Sequence, residues 1–157
     1  MDQKTLLVKY FDKTLPELEY VEGEKSDWID LYARETVFMK VGDFKLIPLN
    51  VAIRLPLGYE AHLVPRSSLF KKTGCVQTNS MGVLDESYCG DNDEWMLPLY
   101  CAKLPDEYTF KDGAAGVVIQ KGQRICQFRI MEHQPQLHLA AVEKLASKDR
   151  GGFGTTG

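Results

Sequence analysis

From Cys126 to Ile130, within the extended stretch Arg124–Met131, apolar and polar side chains alternate. Cys126, Phe128 and Ile130 fall on one face of an extended chain, and Gln127 and Arg129 on the other. A period of two commits a segment to a half-buried β-strand, and the pattern recurs along the chain in short pieces. Thr5–Tyr10 reads as a first strand. Leu46–Leu55 reads as another, with Leu49, Val51, Ile53 and Leu55 on one face. Pro56-Leu57-Gly58 predicts a turn, after which Tyr59–Val64 resumes extended structure. Glu94–Tyr100 reads as a strand interrupted by Pro98, hence an edge strand or a bulge. Val117–Ile119, a turn at Gln120–Gln123 and Arg124–Met131 predict a hairpin. Many short strands, Gly/Pro turns and a single good helix candidate predict an all-β barrel or sandwich, not a parallel α/β fold.

The helix candidate opens the stretch PRSSLFKKTGCVQTNSMGVLDESYCG, Pro65–Gly90. Ser67 or Ser68 can cap it, Lys71 and Lys72 fall in its last turn, and Gly74 suits the left-handed position just past its end. Unpaired N–H groups at its start, with Arg66 beside them, make a seat for phosphate. A β-hairpin is expected next, ending on Gly82-Val83-Leu84-Asp85. Asp85 then stands on an apolar strand, either as a hydrogen-bonded surface residue or as a catalytic carboxylate. The combination points to phosphate chemistry with one acidic residue.

At 157 residues the chain is long enough for one domain with a substantial core, and its 44% hydrophobic and 26% charged content is that of a globular protein. A net charge of −3 argues against general nucleic-acid binding, so an anionic ligand has to be held by local cations. MDQKTLLVKYFDK has no apolar run long enough for a signal peptide or a membrane span, and a cytoplasmic location is expected. Cys75, Cys89, Cys101 and Cys126 form no CxxC pair, and His62, His133 and His138 stand in no zinc-like spacing with them, so reduced, partly buried thiols are expected. Gln136–Val142 could add one more strand, and a first domain is drawn at residues 1–142. Residues 143–157 are polar and end in RGGFGTTG. Two readings of this arm stand open: a frayed end, or a mobile lid whose glycine N–H groups wrap phosphate while an aromatic ring covers a base.

Five segments, in order, resemble the motifs of the trimeric deoxyuridine triphosphatase (dUTPase) family. They are Asp30-Leu31 in SDWIDLYA, Pro65–Leu69 (PRSSL), Gly82–Gly90 (GVLDESYCG), Lys121–Gln127 (KGQRICQ) and Arg150–Gly157 (RGGFGTTG). The resemblance implies a β-barrel or jelly-roll subunit with one short helix and a mobile C-terminal arm. It further implies a homotrimer with shared active sites, and Mg²⁺-dependent cleavage of dUTP to dUMP and pyrophosphate. Asp85 matches the aspartate that activates water, and Arg66 and Ser67, with Ser68 beside them, match the phosphate-binding motif. Gln127 matches the fourth motif's glutamine, and Asp30 the first-motif aspartate that holds Mg²⁺ through its water shell. Asn79 precedes Asp85 by the interval at which some members carry an asparagine facing uracil. Hairpin backbone near Gly82 can copy its hydrogen-bond pattern. Tyr88 looks like the tyrosine that packs on deoxyribose and leaves no room for a 2′-hydroxyl. Phe153 would stack on uracil, Arg150 would reach the terminal phosphate, and Gly154, Thr155 and Thr156 would add backbone and hydroxyl donors.

The chain departs from the family pattern at three points. Asp27-Trp28 stand where Ala-Gly is usual, Arg150 lies closer to Phe153 than the family's RGxGGFG spacing, and Leu104–Gly116 is an added stretch, longer than a usual hairpin loop. That stretch is a candidate contact for a regulatory protein partner. The nearest alternative is a dCTP deaminase, which shares the fold and a similar RSSL motif. The Asp85…Tyr88 pattern and the arm from Arg150 favour the hydrolase.

Overall fold

The alternation around Phe128 becomes the spine of the molecule. In a computed structural model, which describes residues 3–23 and 26–154, it forms the nine-residue strand Arg124–Glu132. In chain order the strands are β1 (Leu7–Tyr10), β2 (Ile29–Tyr32), β3 (Val37–Met39), β4 (Phe44–Pro48), β5 (Val51–Arg54) and β6 (Tyr59–Pro65). After the helix α1 (Leu69–Thr73) come β7 (Cys75–Gln77), β8 (Gly82–Leu84), β9 (Met96–Cys101), β10 (Thr109–Lys111), β11 (Ala114–Ile119) and β12 (Arg124–Glu132). All ladders are antiparallel, in four small sheets ordered β1-β5, β10-β11-β3, β2-β12-β6-β8 and β4-β9-β7.

The four sheets close on one core. Phe128 on β12 and Trp95, just ahead of β9, are both fully buried and meet edge-to-face at 4.9 Å between ring centroids. Leu31 and Leu63 from the same sheet as Phe128, and Met39, Ile47, Leu97 and Ile119 from two others, belong to the same buried cluster. Phe128→Ala is expected to cost about 3–5 kcal/mol, because the ring's contacts come from several sheets that cannot all collapse into the void. Urea unfolding measures it, and a loss under about 1 kcal/mol would mean the site relaxes freely.

Several elements differ from the pattern-based expectation. Leu46–Leu55 is two strands, because Asn50 adopts φ 71 between them. Its N–H donates to Glu94 Oε2 at 2.9 Å, its side-chain oxygen accepts from Asp12 N at 2.6 Å, and its amide donates to Asp12 O at 3.0 Å. Glu94 is itself buried and held by Arg34 through two bonds of 2.7 and 2.9 Å. Pro98 does not mark an edge: β9 is the central strand of its sheet. Its carbonyl accepts from Thr78 N at 3.1 Å, so the missing N–H faces a point just past the end of β7.

Both expected hairpins are turns whose arms part company. β7 pairs with β9 while β8 pairs with β6, and β11 joins β3 while β12 lies between β2 and β6. The added stretch does contain a ladder, β10–β11, closed by Asp112 and Gly113 at φ 51 and 79. Gln136–Val142 forms no strand, and residues 131–151 are exposed. The thiols of Cys75, Cys101 and Cys126 are free and buried, and Cys89 is free and half-buried.

Candidate active site

β2, β12 and β6 lie side by side, and their register decides which side chains meet. Gln127 stands opposite Asp30 on one neighbour and Val64 on the other. β6 ends at Pro65, and Arg66 turns back with its N–H on Ile125 O at 3.3 Å. There Arg66 Nε lies 3.3 Å from Asp30 Oδ1, and Arg124 Nη1 lies 3.5 Å from Asp30 Oδ2. The Arg124 guanidinium also rests over the Tyr32 ring, 5.6 Å from its centroid. Gln127 Nε2 donates to Pro65 O at 3.4 Å. These ion pairs are partly exposed and add little to stability. Their effect is local charge: two guanidiniums share one carboxylate, leaving a net positive spot on a negatively charged protein.

Ser67 and Ser68 follow at the start of α1, Ser67 exposed and Ser68 half-buried. Neither hydroxyl caps the helix as expected. Ser68 occupies the N-cap position with helical backbone angles and no side-chain bond to the helix. The first turn is closed by the backbone instead, Leu69 N to Arg66 O at 3.0 Å. The far end behaves as expected: Gly74 sits at φ 68, and a Cβ there would lie 1.9 Å from Lys103 O. Ahead of β2, Asp27 Oδ2 pairs with Arg129 Nη2 at 3.2 Å and Trp28 lies under the same guanidinium at 5.7 Å. The unusual Asp27-Trp28 pair thus fastens the entry to β2 onto β12.

A second group gathers at the other end of β6. Asp85 is not on a strand, as its apolar neighbours suggest, but one residue past β8 in an exposed turn. Its Oδ1 accepts from Ser87 N at 2.7 Å, and its backbone carbonyl accepts from Tyr88 N at 3.1 Å. The Ser87 backbone and side-chain donors, helped by His133, hold its pKa below the ordinary aspartate value against a smaller opposing effect of burial. Asp85 is therefore an ionised, preoriented acceptor at neutral pH. Tyr88 is not a core residue either. Its ring is partly exposed and its hydroxyl is tied to Glu94 O at 3.1 Å, a carbonyl fixed by the Arg34–Glu94 pair. Asn79 is exposed in the 77–82 turn, and Gly82 lies opposite Leu63 on β6, where a Cβ would meet Leu63 Cβ at 3.2 Å.

Within one chain Asp85 stands apart from the Arg66 cluster, whereas the turn that carries Asn79 borders a cleft lined by Arg66, Ser67, Gln77 and Ser80. Leu84 pairs with Ala61, and the end of β6 at Pro65, after which Arg66 turns back, lies four residues further along, roughly 13 Å at about 3.3 Å per residue. No hydrogen bond or ion pair joins the Asp30 cluster to Asp85 among the described residues. Arg150, Phe153 and Gly154 lie on the exposed arm, with Phe153 at φ 52 and its ring wholly in solvent. Thr155 and Thr156 lie outside the described residues. No set of three or more His, Cys, Asp or Glu among the described residues is placed to hold a metal. Asp30, a single carboxylate between two guanidiniums, fits the sparse ligation that Mg²⁺ accepts when phosphates and water complete its shell.

Over 150 residues, 96% of each chain, the sequence is 50% identical to the SPbeta prophage-derived deoxyuridine 5′-triphosphate nucleotidohydrolase of Bacillus subtilis (strain 168). The chain belongs to the dUTPase family. The family's dUTPase model matches residues 24–93. A Staphylococcus bacteriophage 80alpha dUTPase variant solved with dUpNHpp superposes with a TM-score of 0.75 at 25% identity, covering 98% of each chain. A dUTPase variant from phage phi11 of S. aureus, whose structure details a structural Mg(II) ion, gives 0.72 at 21% identity over 91% of this chain and 99% of that one. The all-β dUTPase fold with one short helix is thereby established, and the deaminase alternative falls away.

Sequence reasoning missed three residues that the structure draws in. Arg124 lies inside the fourth motif but reads as a solvated charge at a strand start; only the strand register brings it to Asp30. Ser87, in the third motif, donates to Asp85 and lowers its pKa. Gln77 is buried beside Asn79 with no local pattern to mark it.

Proposed function

We propose that the protein hydrolyses dUTP to dUMP and pyrophosphate, limiting uracil in DNA and supplying dUMP for thymidylate synthesis. The observation that carries this reading is the division of labour between the Arg66–Asp30–Arg124 cluster and the ionised Asp85. A water positioned by Asp85 forms the new bond to the α-phosphorus, and the α–β bridging oxygen leaves with pyrophosphate. Asp85 takes up or relays the water's proton. Arg66, Ser67, Ser68, Gln127 and Arg150 bind the phosphates, Asn79 and Gly82 read uracil, and Tyr88 packs against deoxyribose. Phe153, Gly154, Thr155 and Thr156 close over the bound nucleotide from the arm of residues 143–157, beyond a barrel of residues 1–142. Asp30 would hold Mg²⁺ through water, and the ion when bound would neutralise phosphate charge.

The separation of Asp85 from Arg66 along β6 supports sites completed between copies of the chain in a homotrimer. No helix among the described residues is long and apolar enough to cross a membrane, which accords with the proposed cytoplasmic location. Pyrophosphate release from dUTP, dTTP, dCTP and UTP, measured in parallel, tests the reading. dUTP should lead each competitor by at least about tenfold in kcat/KM, and equal turnover of dUTP and dCTP would overturn it.

A second role is favoured by the β10–β11 hairpin, which presents Tyr108 and Phe110 at the surface as an edge-to-face pair 5.8 Å apart. This aromatic face, whose Tyr108 and Thr109 line a cleft with Ser68 and Lys72, suits a regulatory protein partner. Deleting Thr109–Ala114 should leave dUTP turnover within a few-fold, because β11 keeps its Val117–Ile119 pairing with β3. A large fall in kcat with the fold retained would place the hairpin in the active site instead.

A further inference from the structure

Gln77 ends β7 and is only 7% exposed, yet it carries a primary amide into a hydrophobic core. Its Nε2 donates to Leu63 O at 3.1 Å and to Asn79 Oδ1 at 2.9 Å. Its Oε1 is buried with no hydrogen-bond partner. An orphaned buried carbonyl is destabilising, and an apolar side chain of similar size would avoid it. The bond to Leu63 O stabilises the fold and the orphaned carbonyl offsets it, so stability alone does not account for glutamine here.

The arrangement fixes a direction. Leu63 O can only accept, so Gln77 must turn its NH₂ toward it. The second hydrogen of that NH₂ then points at Asn79, which must present its own oxygen. Asn79 is left with one oxygen lone pair and its NH₂ for whatever lies outside. That outward pair matches a pyrimidine offering a ring N–H beside a carbonyl, as uracil does. Cytosine offers the reverse, a ring acceptor beside an amine. To bind cytosine Asn79 would have to flip, setting its NH₂ against the NH₂ of Gln77. We propose that Gln77 is a positioning residue for base selection, holding Asn79 in the orientation that accepts uracil and rejects cytosine. The inference rests on the reading of Asn79 as the base-facing residue of a dUTPase.

The test compares Gln77→Met and Gln77→Leu with the wild type, each alone and combined with Asn79→Ala. Both substitutions remove the orphaned carbonyl and the bond to Asn79 but also leave Leu63 O without its side-chain donor, so the two effects offset and the fold should be retained with a melting temperature close to wild type. The dUTP-over-dCTP ratio of kcat/KM should fall about tenfold, the worth of one good hydrogen bond. The change should lie in KM for dUTP, with kcat unchanged. In the Asn79→Ala background neither substitution should lower the ratio further. Calorimetric affinities for dUMP and dCMP read the same relay without turnover. A wild type that prefers dUMP but fails to hydrolyse dUTP would sink the proposed reaction and leave the relay standing. An unchanged dUMP-over-dCMP ratio in both folded variants overturns the relay, as does an equal fall when Asn79 is already alanine. A wild type with no preference for dUMP, or loss of the fold in both variants, overturns it too, the latter by making Gln77 a structural residue.

Discussion

Asp85→Asn is expected to reduce turnover by about 10²–10⁴-fold while dUTP still binds within a few-fold of wild type. Asparagine keeps an oxygen where Oδ1 accepts the Ser87 N–H at 2.7 Å, and it forms this kind of turn as readily as aspartate. The loop and the Tyr88 N to Asp85 O bond should therefore survive. What is lost is the second anionic oxygen, the acceptor for the attacking water. Single-turnover rates, with affinity for a non-hydrolysable dUTP analogue, separate the two effects. Turnover within a few-fold of wild type would remove Asp85 from the mechanism. The pH dependence carries a matching signature. Because the Ser87 donors lower the Asp85 pKa below its ordinary value of 3.8, the acid limb of wild-type kcat/KM that belongs to Asp85 should lie below that value. A depressed folded-state pKa stabilises the fold above the unfolded pKa, and that contribution is lost as the pH falls through the folded value. Any stability difference between wild type and Asp85→Asn should shrink in the same acid range.

The strands that could be read locally are those with one buried face and one wet face. Cys126–Ile130 is the clearest, since Phe128 and Cys126 are buried while Gln127 is half-exposed; ahead of it Ile125 is buried on the Gln127 face. Leu46–Leu55 misleads because its break at Asn50 is imposed by Asp12 and Glu94, 38 and 44 residues away in sequence. Pro98 misleads for a related reason. A proline argues against a central strand only where a neighbour needs its N–H, and β7 has already ended there. Turn chemistry at Gln120–Gln123 is local and was legible, with Gln123 N on Gln120 O at 3.0 Å, but the choice of partner strand is a long-range matter. The candidate site divides in the same way. Asp30, Arg66 and Asp85 are legible through motifs, whereas the Arg124–Asp30 contact depends on the pairing of β12 with β2, which shifts register between Arg124 and Cys126 and which no local pattern encodes.

Mixing two inactive variants should restore about a quarter of wild-type activity. The arm supplies the reason to expect it. The last strand ends at Glu132, and Leu139 and Leu145 on the following exposed segment are 89% and 86% exposed. Phe153 beyond them touches nothing that shields its ring. Apolar groups held in water gain by covering a surface, and under the proposed function that surface is a nucleotide on another copy of the chain. One variant is Asp85→Asn with its arm intact, and the other is truncated after Lys148 with Asp85 intact. Each alone should be nearly inactive, the first lacking the water acceptor and the second lacking Arg150 and Phe153. When equal amounts are refolded together and a site draws Asp85 and the arm from different subunits, random cyclic assembly leaves about one site in four with both, half times half. When both groups come from one chain, no mixed site is complete and activity stays near zero. Mixed trimers confirmed by native mass spectrometry, yet showing no recovery, would confine Asp85 and the arm to a single chain. The separation of Asp85 from the Arg66 cluster would then have to be closed within one subunit.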